Sequence, residues 1–184
     1  MNLPGVWEDT QSVAGESDLL VLVLPVVDEA LKQAQAMRVH EGRALALHLA
    51  AILDSMSVNV NHVDERRKAV VDEYRLKLLQ RVQTLLKESG VSLSEADLIR
   101  EISIFADKSD IAEEIARLRA HVNHMKETLS AQGPKGRRLD FLSQEMLREA
   151  NTISSKANDI AISQASVNLK SSIEQLKEQI QNIE

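Results

Sequence analysis

Asp110, Glu114, Arg117 and His121 recur every three or four residues along one stretch of the chain. On a helix, at ~100° per residue, they fall within a band of roughly 60° on one face and could converge on one ligand. Two carboxylates and an imidazole in that arrangement could hold Mg²⁺ or Mn²⁺, or move protons during phosphodiester hydrolysis. Spacing alone allows another reading, in which these groups form ordinary ion pairs one turn apart on a solvated face. The apolar residues Ile111, Ile115, Leu118, Val122 and Met125 run beside the band, so the charges belong to the rim of a packed interface.

A second set repeats the geometry. Arg138, Glu145, Glu149 and Lys156 share a band of roughly 40°, flanked by Leu139, Leu142, Met146 and Ile153. If the two dry stripes pack together, the charged rims meet in a cleft with acids at its floor and guanidinium groups at its lip. Arginine forks suit phosphate oxygens, and carboxylates suit a metal or a proton. The competing outcome is an interhelical salt-bridge network with no chemistry.

Other chemistries lack their residues. His40, His48, His62 and His124 have no partners at ligand spacing. There is no glycine-rich phosphate loop, no serine nucleophile elbow and no HExxH pattern, which argues against ATP-dependent and serine-hydrolase classes. With one Tyr, one Trp and two Phe, the stacking sheets of common single-strand binding domains are absent. The net charge of −6 disfavours nucleic-acid binding over the whole surface and leaves room for a local basic patch. No cysteine is present, so a disulfide framework and thiolate zinc are excluded, and the cytoplasm is the default compartment.

The elements that must carry these residues are helices. Hydrophobic residues make up 43% of the 184 and aromatic ones 2%, so the core is built from Leu, Ile, Val, Ala and Met. That palette predicts a mainly α fold, with long helices packed as an elongated bundle and a coiled-coil-like C-terminal helix. The apolar run Leu19 to Val27 is too short to span a bilayer and reads as a buried segment feeding a helix, with Pro25 near the first turn. Two or three helices follow from Val26 to about Ser89, with the break between them open between Gly42 and the polar, β-branched Ser57 to His62, and a charge cluster at Asp64 to Lys68 that reads as a solvated face. Ser94 followed by Glu95 and Asp97 predicts a helix start, and that helix runs to Ser130 with at most a kink near Lys108-Ser109. Gln132 to Gly136 is the clearest loop. From Lys156 onward, Ile162, Leu169, Ile173, Leu176, Ile180 and Ile183 make a narrow seam with Ser166 as its weak step, which predicts an assembly helix. The resulting division is 1–24, 25–131 and 132–184.

At the two charged stretches the sequence resembles the YicC/YloC-like endoribonuclease family. The resemblance rests on Lys108-Ser-Asp-Ile-Ala-Glu-Glu114 with Arg117-Leu-Arg-Ala-His121, on Gly136-Arg-Arg-Leu-Asp-Phe-Leu-Ser-Gln-Glu-Met-Leu-Arg-Glu-Ala-Asn-Thr-Ile-Ser-Ser-Lys156, and on the ending Ile173 to Glu184. Weaker similarity continues through Glu41 to Leu45 and Leu3 to Val6, and nothing matches the β-containing N-terminal domain with which such proteins usually begin. The resemblance implies a metal-dependent endoribonuclease acting in RNA turnover, assembled as a ring-like hexamer around RNA, with no membrane or DNA partner expected. The family motif falls on Asp110, Glu113, Glu114, Arg117 and His121, and on Gly136, Arg137, Arg138, Asp140, Phe141, Gln144, Glu145, Arg148, Glu149, Asn151, Thr152 and Lys156.

Resemblance and charged rims together assign candidate roles. His121, Glu145 and Glu149 are the catalytic candidates. Arg117, Arg137, Arg138, Arg148 and Lys156 are the RNA-binding candidates, and Asp110, Glu114, Glu145 and Glu149 are candidate ligands of a divalent cation, Mn²⁺ or Mg²⁺. A non-catalytic RNA-binding or ribonuclease-adaptor protein and a purely structural helical oligomer are the alternatives.

Overall fold

The computed structural model describes residues 16–89 and 94–181, in five helices and, among those residues, no strand. Helix α1 is Glu16–Ser89, α2 Glu95–Ser109, α3 Ala112–Ser130, α4 Gly136–Lys156 and α5 Ile160–Ile180. The mainly α reading stands. The segment Leu3 to Val6 and Ile183 lie outside the described residues.

The chain divides into two units, Met1–Ala44 and Leu45–Glu184, and α1 runs through the boundary. In the first unit Leu19 to Val27 do not form the buried segment expected of them. Val21 is 71% exposed and Leu22 69%. Pro25 sits inside α1 instead of in its first turn, ten residues after Glu16 with both counted. The apolar run also continues as helix, and α1 includes an 18-residue window of mean hydropathy 1.2, long and apolar enough on those measures to cross a membrane.

The second unit holds one core. From α1 it takes Leu49, Leu53, Met56, Val60 and Val63, from α3 Ile115, Leu118, Val122 and Met125, and from α4 Leu139, Leu142, Met146 and Ile153. From α5 it takes Ile162, Leu169, Ile173, Leu176 and Ile180. Each such side chain contributes roughly 1.5–3 kcal/mol when it leaves water, and this burial explains why α1 does not break near Ser57 to His62. Val60 lies in the packed seam, and the Ser57 hydroxyl is taken up by donating to the Leu53 carbonyl at 2.8 Å.

Long-range pairs fix the directions. Lys126 reaches Asp54, Arg119 reaches Asn61 and Asp64, and the Phe105 ring lies flat on Tyr74 at 3.6 Å between centroids. Residue numbers rise in α2 and α3 as they fall in α1, so α2 and then α3 lie antiparallel along it. The break between them is complete, not a kink. Asp110 turns the chain with ψ 120 and its carboxylate accepts the Ala112 N–H at 2.9 Å, while the Ser109 hydroxyl bonds back to Phe105.

Local signals elsewhere act as expected. The Ser94 side chain caps α2 by accepting the Asp97 N–H, and Gly133 turns the loop before α4 with φ 93. Lys135 donates to the Leu129 and Ala131 carbonyls at 2.7 and 2.6 Å, closing the C-terminal end of α3. The α5 seam is covered by the chain itself. Ile173, Leu176 and Ile180 are 0–3% exposed within this one molecule, so of the two covers open to the seam, the chain's own helices or a neighbour's, its own helices supply the one for these three. Its weak step, Ser166, is buried and satisfied by donating to the Ile162 carbonyl.

Candidate functional site

The antiparallel pair α3 and α4 brings the two charged rims together. Lys156 Nζ donates to Glu114 Oε1 at 2.8 Å and to the Asp110 carbonyl at 3.1 Å. Arg117 pairs with Glu113 on its own helix and lies 3.9 Å from Glu149 Oε1 on α4, and Arg138 contacts His124 across the same junction. Positions 117 and 149 therefore face each other, and one turn onward the same register sets His121 level with Glu145. Both are half-buried. Glu114 and Glu149 are 6% and 5% exposed, whereas the side chains of Lys156 and Arg117 reach water, so acids lie beneath and cations above.

These contacts divide the candidates. Glu114 is engaged by Lys156, whose ammonium is held above the ordinary lysine range by that hydrogen bond, and Glu149 faces Arg117. Asp110 precedes α3, caps its first turn and lines a cavity of about 260 Å³ with Arg67, Asn158 and Ile162. The four acids expected to ligate a cation thus do not form one donor set. Among the described residues no three acids or imidazoles gather to hold a metal. Of the five basic candidates, Arg117, Arg138 and Lys156 contact protein groups. Arg137 and Arg148 are exposed, and their guanidinium groups make no ion pair or hydrogen bond with the described residues.

A second charged cluster was read from sequence as a solvated face. Arg66 donates to Glu73 at 2.5 and 2.8 Å and to Asp159 at 2.6 and 3.2 Å, joining α1 to the turn before α5. These bonds hold both carboxyls below the usual range, against partial desolvation. Asp64 is likewise lowered, by Arg67 first and Arg119 as well. The Arg67–Asp64 pair is one turn apart on α1, but no local spacing signals the links of Asp159 to Arg66 and of Arg119 to Asp64, which span 93 and 55 residues. His124, thought to lack a partner, meets Arg138 for the same reason.

The sequence pattern of the family described as endoribonuclease YicC-like, C-terminal, matches residues 63–184. The chain is 41% identical over 170 residues to the probable endoribonuclease YicC of Clostridioides difficile, covering 92% of this chain and 58% of that protein. It is 36% identical over 187 residues to the probable endoribonuclease YicC of Haemophilus influenzae, covering 100% of this chain and 62% of that one. The chain therefore spans about three fifths of the length of these curated relatives.

Proposed function

The chain belongs to the endoribonuclease YicC-like family, and from that premise we propose that it hydrolyses phosphodiester bonds within RNA at the α3–α4 junction. The observation that carries the reading is the placement of His121 level with Glu145, half-buried, between the Arg117–Glu149 and Arg138–His124 contacts. An imidazole and a carboxylate in that position divide the proton work. One takes the proton of the attacking water as its oxygen bonds to phosphorus, and the other supplies a proton to the leaving oxygen as its bond to phosphorus breaks. Glu149 orients Arg117 toward the developing negative charge, and Arg137 and Arg148 hold neighbouring phosphates.

Glu114 and Lys156 brace the junction in this scheme. A divalent cation, which the family likeness implies, finds no gathered donor set in the described residues, so no step here is routed through one. Assembly into a homo-oligomer belongs to the same proposal and is read by light scattering. Because so many of the candidate charges are engaged with one another, RNA binding without turnover is the second reading.

The deciding experiment incubates the purified chain with end-labelled RNA in Mg²⁺, in Mn²⁺ and in chelator. Under the proposal, His121→Ala and Glu145→Gln each lower cleavage by at least about 100-fold while RNA stays bound. Cleavage by the double variant at the unaltered rate rules out this site. Salt-sensitive retention of RNA with no new ends under any condition makes the binding reading the correct one.

A further inference from the structure

The side of α4 turned away from the core carries Arg137, Phe141, Gln144, Arg148 and Ser155, all exposed. Phe141 is 58% exposed. The other two aromatic residues with described side chains, Tyr74 and Phe105, stack on each other, which leaves Phe141 without an aromatic neighbour. At ~100° per residue Arg137, Phe141 and Arg148 fall within roughly 40° of one line along the helix. With a rise of ~1.5 Å per residue, the ring lies about 6 Å from Arg137 and about 10 Å from Arg148 along the axis.

A phenylalanine left in water costs free energy, and it is bracketed here by two guanidinium groups that have no acceptor among the described residues. An aliphatic partner would have no use for two free cations, and an isolated phosphate would have none for the ring. Unpaired RNA satisfies both, because its phosphates accept the arginine forks while any of its bases offers a flat face to the ring. We infer that Phe141 is a stacking platform for one unpaired nucleobase, with Arg137 and Arg148 gripping flanking phosphates, an assignment that rests on the ribonuclease reading. Glu145 stands one turn beyond Phe141, so a strand anchored on the ring passes beside the α3–α4 junction. Exposed residues such as Ile160 and Val167 are aliphatic and give no such face.

The test measures affinity of the full chain for a single-stranded RNA and for a blunt RNA duplex, with Phe141→Leu and Phe141→Trp beside the parent. Phe141→Leu keeps an apolar side chain without a π face, and far-ultraviolet circular dichroism verifies its helicity. It should weaken single-strand binding roughly 5- to 150-fold and leave duplex binding unchanged. Phe141→Trp, made in a Trp7→Phe background, should retain affinity and lose fluorescence as RNA is added. If the parent binds and cuts RNA but Phe141→Leu binds both RNAs as well as the parent does, this inference fails and the ribonuclease reading stands. If the parent neither binds nor cuts RNA, the ribonuclease reading itself fails. A fall in molecular mass of Phe141→Leu by light scattering, with RNA binding intact, makes the face a protein interface and also overturns the inference.

Discussion

The Lys156 ammonium meets the Glu114 carboxylate at 2.8 Å, tying the last turn of α4 to the first turn of α3. Glu114 is almost wholly buried, so Lys156→Met leaves a carboxylate without its donor and should cost about 1–3 kcal/mol. Raised in the folded state, the lysine contributes stability that is complete below its unfolded value near ~10.4 and lost as pH climbs through the higher folded value. Urea unfolding of the parent should therefore weaken above about pH 10.4, and the variant should show less of that dependence, the part left coming from the Tyr74 hydroxyl, which desolvation and Glu101 also hold above its ordinary range.

On the acid side the sign reverses. Asp159 and Glu73 are held below the ordinary carboxylate range by Arg66, so their stabilisation is present above about pH 4 and disappears as pH falls through the lowered values. Asp159→Asn keeps a side chain able to cap α5 and removes the charge. Denaturation midpoints followed from pH 6 down to pH 2, on the scale of ordinary carboxyl values near ~4, should slope less steeply for this variant than for the parent. Equal slopes would mean that the Arg66–Asp159 contact contributes nothing in solution.

Burial separates residues that composition treats alike. Leu118 has no exposed surface, and Leu118→Ala should destabilise by about 2–5 kcal/mol. Ile160 is 89% exposed, and Ile160→Ala should stay within about 0.5 kcal/mol. Thermal unfolding of the two variants checks both values.

Cutting the chain after Lys170 removes Ile173, Leu176 and Ile180 from the core. Each contributes roughly 1.5–3 kcal/mol, so the shortened chain should lose helicity and cooperative unfolding. A shortened chain with full helicity and only a smaller mass would restore the idea that α5 is chiefly an assembly helix.

The proposed hold of α4 on RNA carries its own signature. Arg137→Ala and Arg148→Ala should each weaken binding across all sequences and flatten the dependence of log affinity on log salt by about 1. Arg117→Ala, whose guanidinium already serves Glu113 and Glu149, should change the slope less. Filter binding at several salt concentrations measures all three.

Periodicity made the stripes on α3, α4 and α5 readable, because burial selects apolar residues every three or four positions whatever the neighbour is. Capping chemistry did the same for Ser94, and backbone freedom for the loop at Gly133. Asp110 was harder, since an aspartate within a helix and one capping the next helix have the same letter and the same spacing. The uninterrupted α1 was hidden because propensity near Val58 to Val60 favours a break that tertiary packing overrides. The charge partners were least visible. Whether Arg119 meets solvent or Asp64, and whether Arg138 is free or rests on His124, depends on which helices become neighbours, and no local rule encodes that choice.

Helix α2 has no buried residue and lies along α1 through the Tyr74–Phe105 ring stack and a hydrogen bond from Tyr74 to Glu101. Selection can therefore rewrite this stretch without recomposing the core. Replacements at its solvent-facing positions should leave the core intact so long as the two rings keep their faces together and an aspartate still turns the chain at position 110.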